Sequence, residues 1–125
     1  MVTLLLMLAI QEDMRTGVDA LPVSVPRDAV HACVSNELSK GNSVVTRSID
    51  GGVILEARFR SMIGAMGGRS VFEIRDAPGG VAVTTRYQHP QSQKSAIGLL
   101  RYIGGKCFKD DFNKWAVANG QKPKR

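Results

Sequence analysis

The stretch "VILEARFRSMIGAMGGRSVFEIR", residues 53–75, decides the fold. In its first eight residues Val53, Leu55, Ala57 and Phe59 alternate with Ile54, Glu56, Arg58 and Arg60, giving one apolar face and one mostly charged face. A period of two is that of a half-buried strand, because successive side chains of an extended backbone point to opposite sides. "SVFEIRD", residues 70–76, has the same period, with Phe72 and Ile74 on one face and Val71, Glu73 and Arg75 on the other. The glycine-rich piece between them, Met62 to Arg69, therefore reads as an interstrand loop. Working outward, "SVVTRSI" precedes Asp50-Gly51-Gly52 and "VAVTTRY" follows Ala77-Pro78-Gly79-Gly80. Both connectors supply the positive φ angles that tight hairpins need, so the segments predict an antiparallel meander of about four strands.

Helical periodicity flanks the meander. Leu21, Val23 and Val25 alternate with Pro22 and Ser24 as a candidate fifth strand at 21–25, on an edge where proline is tolerated. Pro26 suits the first position of a helix and Asp28 its positive end, and Val30, Cys33, Val34 and Leu38 recur at helical spacing, which predicts a helix over 27–39. A long C-terminal helix is predicted over about 94–118, with Ile97, Leu100, Gly104, Phe108, Phe112 and Trp115 near one stripe. Gly104-Gly105 predicts a kink or break, since each glycine costs about 1 kcal/mol against alanine in a helix interior. Residues 119–125 read as a frayed basic tail. The expectation is one α+β domain over residues 21–118, with the sheet covered on one face by both helices; a chain of 125 residues needs no second domain.

Residues 1–20 read as a candidate signal peptide or an N-terminal apolar segment. "MVTLLLMLAI" is too short to span a bilayer, and Val18-Asp19-Ala20 offers small residues near a cleavage point, although a basic start is missing. Two cysteines, Cys33 and Cys107, bear on the same question. Each falls on or beside the apolar stripe of a predicted helix, so packing both helices on one sheet face would bring them close enough for a disulfide in an exported, periplasmic protein. In a cytoplasmic protein they would be small buried apolar groups.

Charge is unevenly distributed. Residues 1–60 hold six Lys/Arg and seven Asp/Glu, whereas residues 61–125 hold eleven and four. A basic C-terminal region attracts phosphates or anionic lipid headgroups, and a solvated helix face produces the same count. Catalytic and metal chemistry find little footing. His31 and Cys33 are two apart on a predicted helix and diverge, no CxxC or HxxxH spacing supports zinc, and His89-Pro90 belongs to a loop. Cys107 beside Lys106 reads as a structural cysteine before it reads as a nucleophile. Asp110-Asp111 reads as surface ion pairing with Lys109 and Lys114. No metal, cofactor or catalytic residue is assigned.

Ile63-Gly64-Ala65-Met66-Gly67-Gly68-Arg69 resembles the GxxG loop of K-homology RNA-binding domains, with Ile74, Gly79 and Val83 near apolar or glycine positions of that family. The resemblance implies a backbone clamp on single-stranded RNA, but the family flanks its loop with helices where this chain has strand periodicity. The order of elements over residues 21–118 resembles a reduced START-like, or helix-grip, domain, which implies an apolar ligand held between the sheet and the long helix. The functional expectation is a non-catalytic binding domain for an apolar ligand or a partner protein, using Met62, Gly64, Met66, Gly67, Gly68 and Arg69. The alternative is an RNA- or phosphate-binding protein using Gly64, Gly67 and the C-terminal bases.

Overall fold

The alternating segments form the strands their period requires. The structure, a computed structural model, describes residues 14–58 and 68–125. Four strands, β2 (Ser43–Ile49), β3 (Gly52–Arg58), β4 (Arg69–Ala77) and β5 (Gly80–Gln88), follow one another as an antiparallel meander. Ile49 lies opposite Gly52 and Ala77 opposite Gly80, so Asp50-Gly51 and Pro78-Gly79 are two-residue turns, with φ of +71° at Gly51 and +81° at Gly79. The apolar faces of β3, β4 and β5 bury Val53, Leu55, Ala57, Phe72, Ile74, Val81 and Val83 in one cluster.

The fifth strand is longer than the expected 21–25 and lies earlier in the chain. β1 (Met14–Val23) pairs antiparallel with β5, so the sheet runs β1-β5-β4-β3-β2. Residues 14–20 thus belong to the domain, and the candidate cleavage point at Val18-Asp19-Ala20 lies inside the strand, with Val18 buried. The β1 register shifts between Thr16 and Val18 and again between Val18 and Leu21. Such bulges remove backbone groups from the regular ladder, and buried N–H groups need other partners. Two adjacent threonines supply them: Val18 N–H donates to Thr85 Oγ1 and Ala20 N–H to Thr84 Oγ1, each at 3.0 Å.

Three helices cover one face of the sheet. α1 (Arg27–Leu38) begins after Pro26, which is the extended N-cap and not the first helical residue, and buries Val30, Val34 and Leu38. It lies over β2, β3 and β4, while the C-terminal helices lie over β1 and β5. The predicted long helix is two helices, α2 (Gln93–Cys107) and α3 (Lys109–Ala118). α2 opens with a Ser92/Ser95 capping box. The break falls at Phe108, with φ −156° and ψ 60°, and not at the glycine pair. Gly104 stays helical and buried, and its missing side chain makes room for two aromatic rings: an added Cβ would meet Phe108 Cε2 at 2.9 Å and Phe112 Cδ1 at 3.3 Å. The glycine therefore serves the close packing of the elbow.

The tail is docked. Gln121 N–H donates to Ala116 O (2.8 Å), Arg101 Nε to Lys122 O (3.0 Å) and Lys124 N–H to Asn113 Oδ1 (2.7 Å), while Asn113 Nδ2 donates to Lys124 O (2.9 Å). Gly105 lies against the stem of Lys124. The expected fraying is absent because these four bonds hold the main chain between α2 and α3.

Cys33 and Cys107 form a disulfide with Cα atoms 5.6 Å apart, joining α1 to the end of α2. The chain-entropy model gives about 4 kcal/mol for closing a loop of this size. Replacing both cysteines by alanine is expected to lower the melting temperature by about 10 °C or more in a calorimetric scan. Thr85→Val is expected to cost about 1–3 kcal/mol in urea unfolding, because it leaves the buried Val18 N–H without its acceptor; a change within about 0.5 kcal/mol would contradict that role.

Candidate functional site

The sheet face away from the helices carries Glu56, Glu73, Arg75 and Arg86 among Val45, Ile54 and Val71, and charge pairs order it. Glu73 on β4 accepts from Arg86 of β5 (3.2 Å) and lies 3.5 Å from Arg75, and Arg86 also donates to Thr16 Oγ1 of β1 (3.1 Å). Thr16 stands directly opposite Arg86, Glu73 meets Arg86 on the diagonal, and Arg75 lies two residues along β4 from Glu73, so all of them share one face.

At one end of this face β1 begins, β3 ends, β4 begins and β5 ends. Arg69, the first residue of β4, is fixed there by three elements. Its Nη1 donates to Glu56 Oε1 of β3 (2.7 Å), its Nε to Gln88 Oε1 of β5 (2.9 Å), and its Nη2 approaches Met14 Sδ of β1 (3.8 Å). The Arg69 and Glu56 side chains are only 26% and 22% exposed, so solvent screens this pair less than an ordinary surface pair. Gly68, just before it, has φ +110°, a backbone region that side chains rarely adopt, and it packs against Pro90 and Gln91 of the loop leading to α2. Gly68 thus enters β4 against the loop that leads to α2.

Arg58 stands directly opposite Arg69 in the β3–β4 register. Like charges in that position repel, and Glu56 neutralises Arg69 alone. Exposed Arg58 has no acidic partner among the described residues, so it offers a guanidinium to an incoming carboxylate or phosphate beside one that is already positioned.

Of the residues proposed from sequence, Gly68 and Arg69 are at this site; Met62, Gly64, Met66 and Gly67 lie outside the described residues. Arg69 is in the sheet network and not at the loop tip. Sequence reasoning missed Met14, Glu56, Arg58 and Gln88. Two of them carry a readable signal, because once β3 and β4 are strands joined in a hairpin, Glu56 and Arg58 fall near Arg69.

The other candidates resolve differently. Cys33 and Cys107 are both in the disulfide, which leaves Cys107 without the free thiolate a nucleophile needs. No group of three His, Cys, Asp or Glu is placed to hold a metal among the described residues. Asp111 does not pair with the neighbouring lysines: its Oδ2 accepts from Ser24 N–H (2.9 Å) and Ser24 Oγ (3.0 Å), tying the first turn of α3 to the end of β1. Trp115 is partly buried against the core with its ring centroid 5.8 Å from that of Phe112.

Fold and site together define a disulfide-stapled α+β domain with one covered and one open sheet face. No protein-family model, curated protein or solved structure matches the chain.

Two glycines allow a direct test of the backbone conformation at Gly68. Gly68→Ala is expected to destabilise the protein by about 1–2 kcal/mol because of its positive φ. Gly98→Ala, in α2 with open space at its Cβ, is expected to stabilise it by up to about 1 kcal/mol. Denaturant midpoints of the two variants should move in opposite directions.

Proposed function

We propose that the protein is a non-catalytic binding domain of an oxidising, extracytoplasmic compartment that engages a partner protein, or an apolar ligand, at the sheet end built on Gly68 and Arg69. The observation that carries this reading is the three-strand anchoring of Arg69 beside Arg58, whose guanidinium has no acidic partner among the described residues. Anchoring costs no further ordering when a partner arrives, and preorganisation of this kind favours affinity. The segment that leads into this sheet end carries Met62 and Met66, whose flexible thioethers suit an irregular apolar surface.

A ligand gripped between sheet and helices, as the START-like resemblance implies, would have to displace Leu100, Ile103 and Phe112, all fully buried. A protein met at the sheet end displaces none of them and is the favoured form of the reading. The disulfide fits an oxidising location. Among the described residues no helix is long and apolar enough to cross a membrane. The adjacent Arg58 and Arg69 also favour a second reading, recognition of an RNA backbone with help from Gly64 and Gly67.

Photo-crosslinking in expressing cells tests both. With p-benzoylphenylalanine in place of Met62 or Met66, a discrete protein adduct is expected, lost in the Arg69→Ala background. The same probe in place of Pro78, in the turn at the opposite end of the sheet, should give none. Equal adducts at Pro78, or none at Met62 and Met66, would refute the site; an adduct sensitive to ribonuclease would transfer it to RNA.

A further inference from the structure

Of the eight described bases on or beside the sheet and α1, five meet a carboxylate, whereas Arg15, Arg47 and Arg58 have no acidic partner among the described residues. Arg27, Lys40, Arg69, Arg75 and Arg86 each have a carboxylate within reach: Asp76, Glu37, Glu56 and, for the last two, Glu73. From Lys94 onward lie eight bases on α2, α3 and the tail, and none has an acidic partner among the described residues. Of the two acidic residues in that region, Asp111 is taken up by Ser24. With only exposed Asp110 left to set against eight bases, one layer of the molecule thus presents an excess of positive charge.

Tail docking turns that charge into a fixed array. Four bonds place the main chain of residues 121–124 against α2 and α3, and the stem of Lys124 lies on Gly105. An amphipathic lysine so laid keeps its ammonium in water while its methylenes cover the helix. Arg101, Lys122, Lys124 and Arg125 are brought together along one notch, with exposed Lys106, Lys109 and Lys114 on the two helices beside it. Apolar groups accompany them: Tyr102 is 44% exposed with Lys106 Nζ 5.4 Å from its ring centre, and Val117 is 71% exposed. Bases with an exposed tyrosine and an aliphatic residue match a bilayer surface, where lipid phosphates meet the first methylenes and tyrosine is at home.

We infer that the layer formed by α2, α3 and the docked tail binds the surface of an anionic phospholipid membrane. The choice of lipid over nucleic acid rests on the extracytoplasmic reading above, because outside the cytoplasm lipid phosphate is the abundant polyanion. Membrane attachment and partner engagement use different residues.

Co-sedimentation of the purified, disulfide-intact chain with vesicles tests the inference. Binding is expected to vesicles of phosphatidylcholine with one third phosphatidylglycerol, to be absent with phosphatidylcholine alone, and to weaken as salt rises. Because the tail is held by main-chain atoms of Lys122 and Lys124, Lys122→Gln, Lys124→Gln and Arg125→Gln together remove charge without releasing it; this variant should bind about tenfold more weakly. Lys106→Gln, Lys109→Gln and Lys114→Gln, at exposed helix positions, form an independent second variant with the same expected loss. Arg47→Gln, at an exposed position of β2, should bind as wild type. No preference for anionic vesicles, wild-type binding by both lysine variants, or tighter binding to single-stranded RNA than to the vesicles would overturn the inference. Failure of the crosslinking experiment leaves these results untouched, so the two readings fail separately.

Discussion

The structure depends on a covalent tie across a divided helical layer. α1 covers one half of the sheet and α2 with α3 the other. α1 is a short helix with three fully covered apolar residues, Val30, Val34 and Leu38, each worth about 1.5–3 kcal/mol of burial. That gain is set against the entropy of fixing twelve residues, so packing alone leaves the helix marginal. The Cys33–Cys107 bond joins it to the end of α2, beside the elbow at Phe108. From the elbow α3 returns over β1, where Asp111 holds Ser24, and the tail closes the notch between the two helices. Disulfide, elbow, Asp111 and tail form one connected set of restraints around the ends of the helices.

The two sheet edges are unlike. β1 carries two register shifts and Pro22, features that discourage another strand from pairing, and its displaced amides are satisfied by Thr84 and Thr85. β2 runs in unbroken register with β3. The irregular edge strand still contributes at its start, where Met14 and Thr16 reach the arginines of β4 and β5. The charge pairs of the open face and the apolar cluster of the covered face are two consequences of a single strand register.

The parts of this fold that follow from local pattern could be read from the sequence. Alternation in "VILEARFR" and "SVFEIRD" makes β3 and β4 unavoidable, and the glycine-bearing connectors make the hairpins; the apolar stripes of two helices foretell the disulfide. The errors share a cause, which is that a distant contact gave a residue its role. Gly104 reads as a helix breaker until Phe108 and Phe112 are seen lying on it. Residues 14–20 lack clean alternation because two bulges interrupt it, and the threonines that stabilise those bulges are more than sixty positions away. The tail has the composition of a frayed end, yet Asn113 and Arg101 hold its main chain, which composition does not reveal. At the site, sequence picked the loop and its arginine, while the partners that fix Arg69 come from three other strands.

A domain fastened at its helical ends can present two working surfaces, an open sheet end for a partner and a basic helical layer for lipid phosphate. The basic layer depends on the helical layer staying closed. Native-state hydrogen exchange of the oxidised and the reduced protein tests this most directly. The account predicts that reduction removes protection first from α1 and from the α2–α3 elbow, while the amides shared by β3, β4 and β5 keep theirs. Equal loss of protection through sheet and helices, or no difference between the two forms, would contradict it.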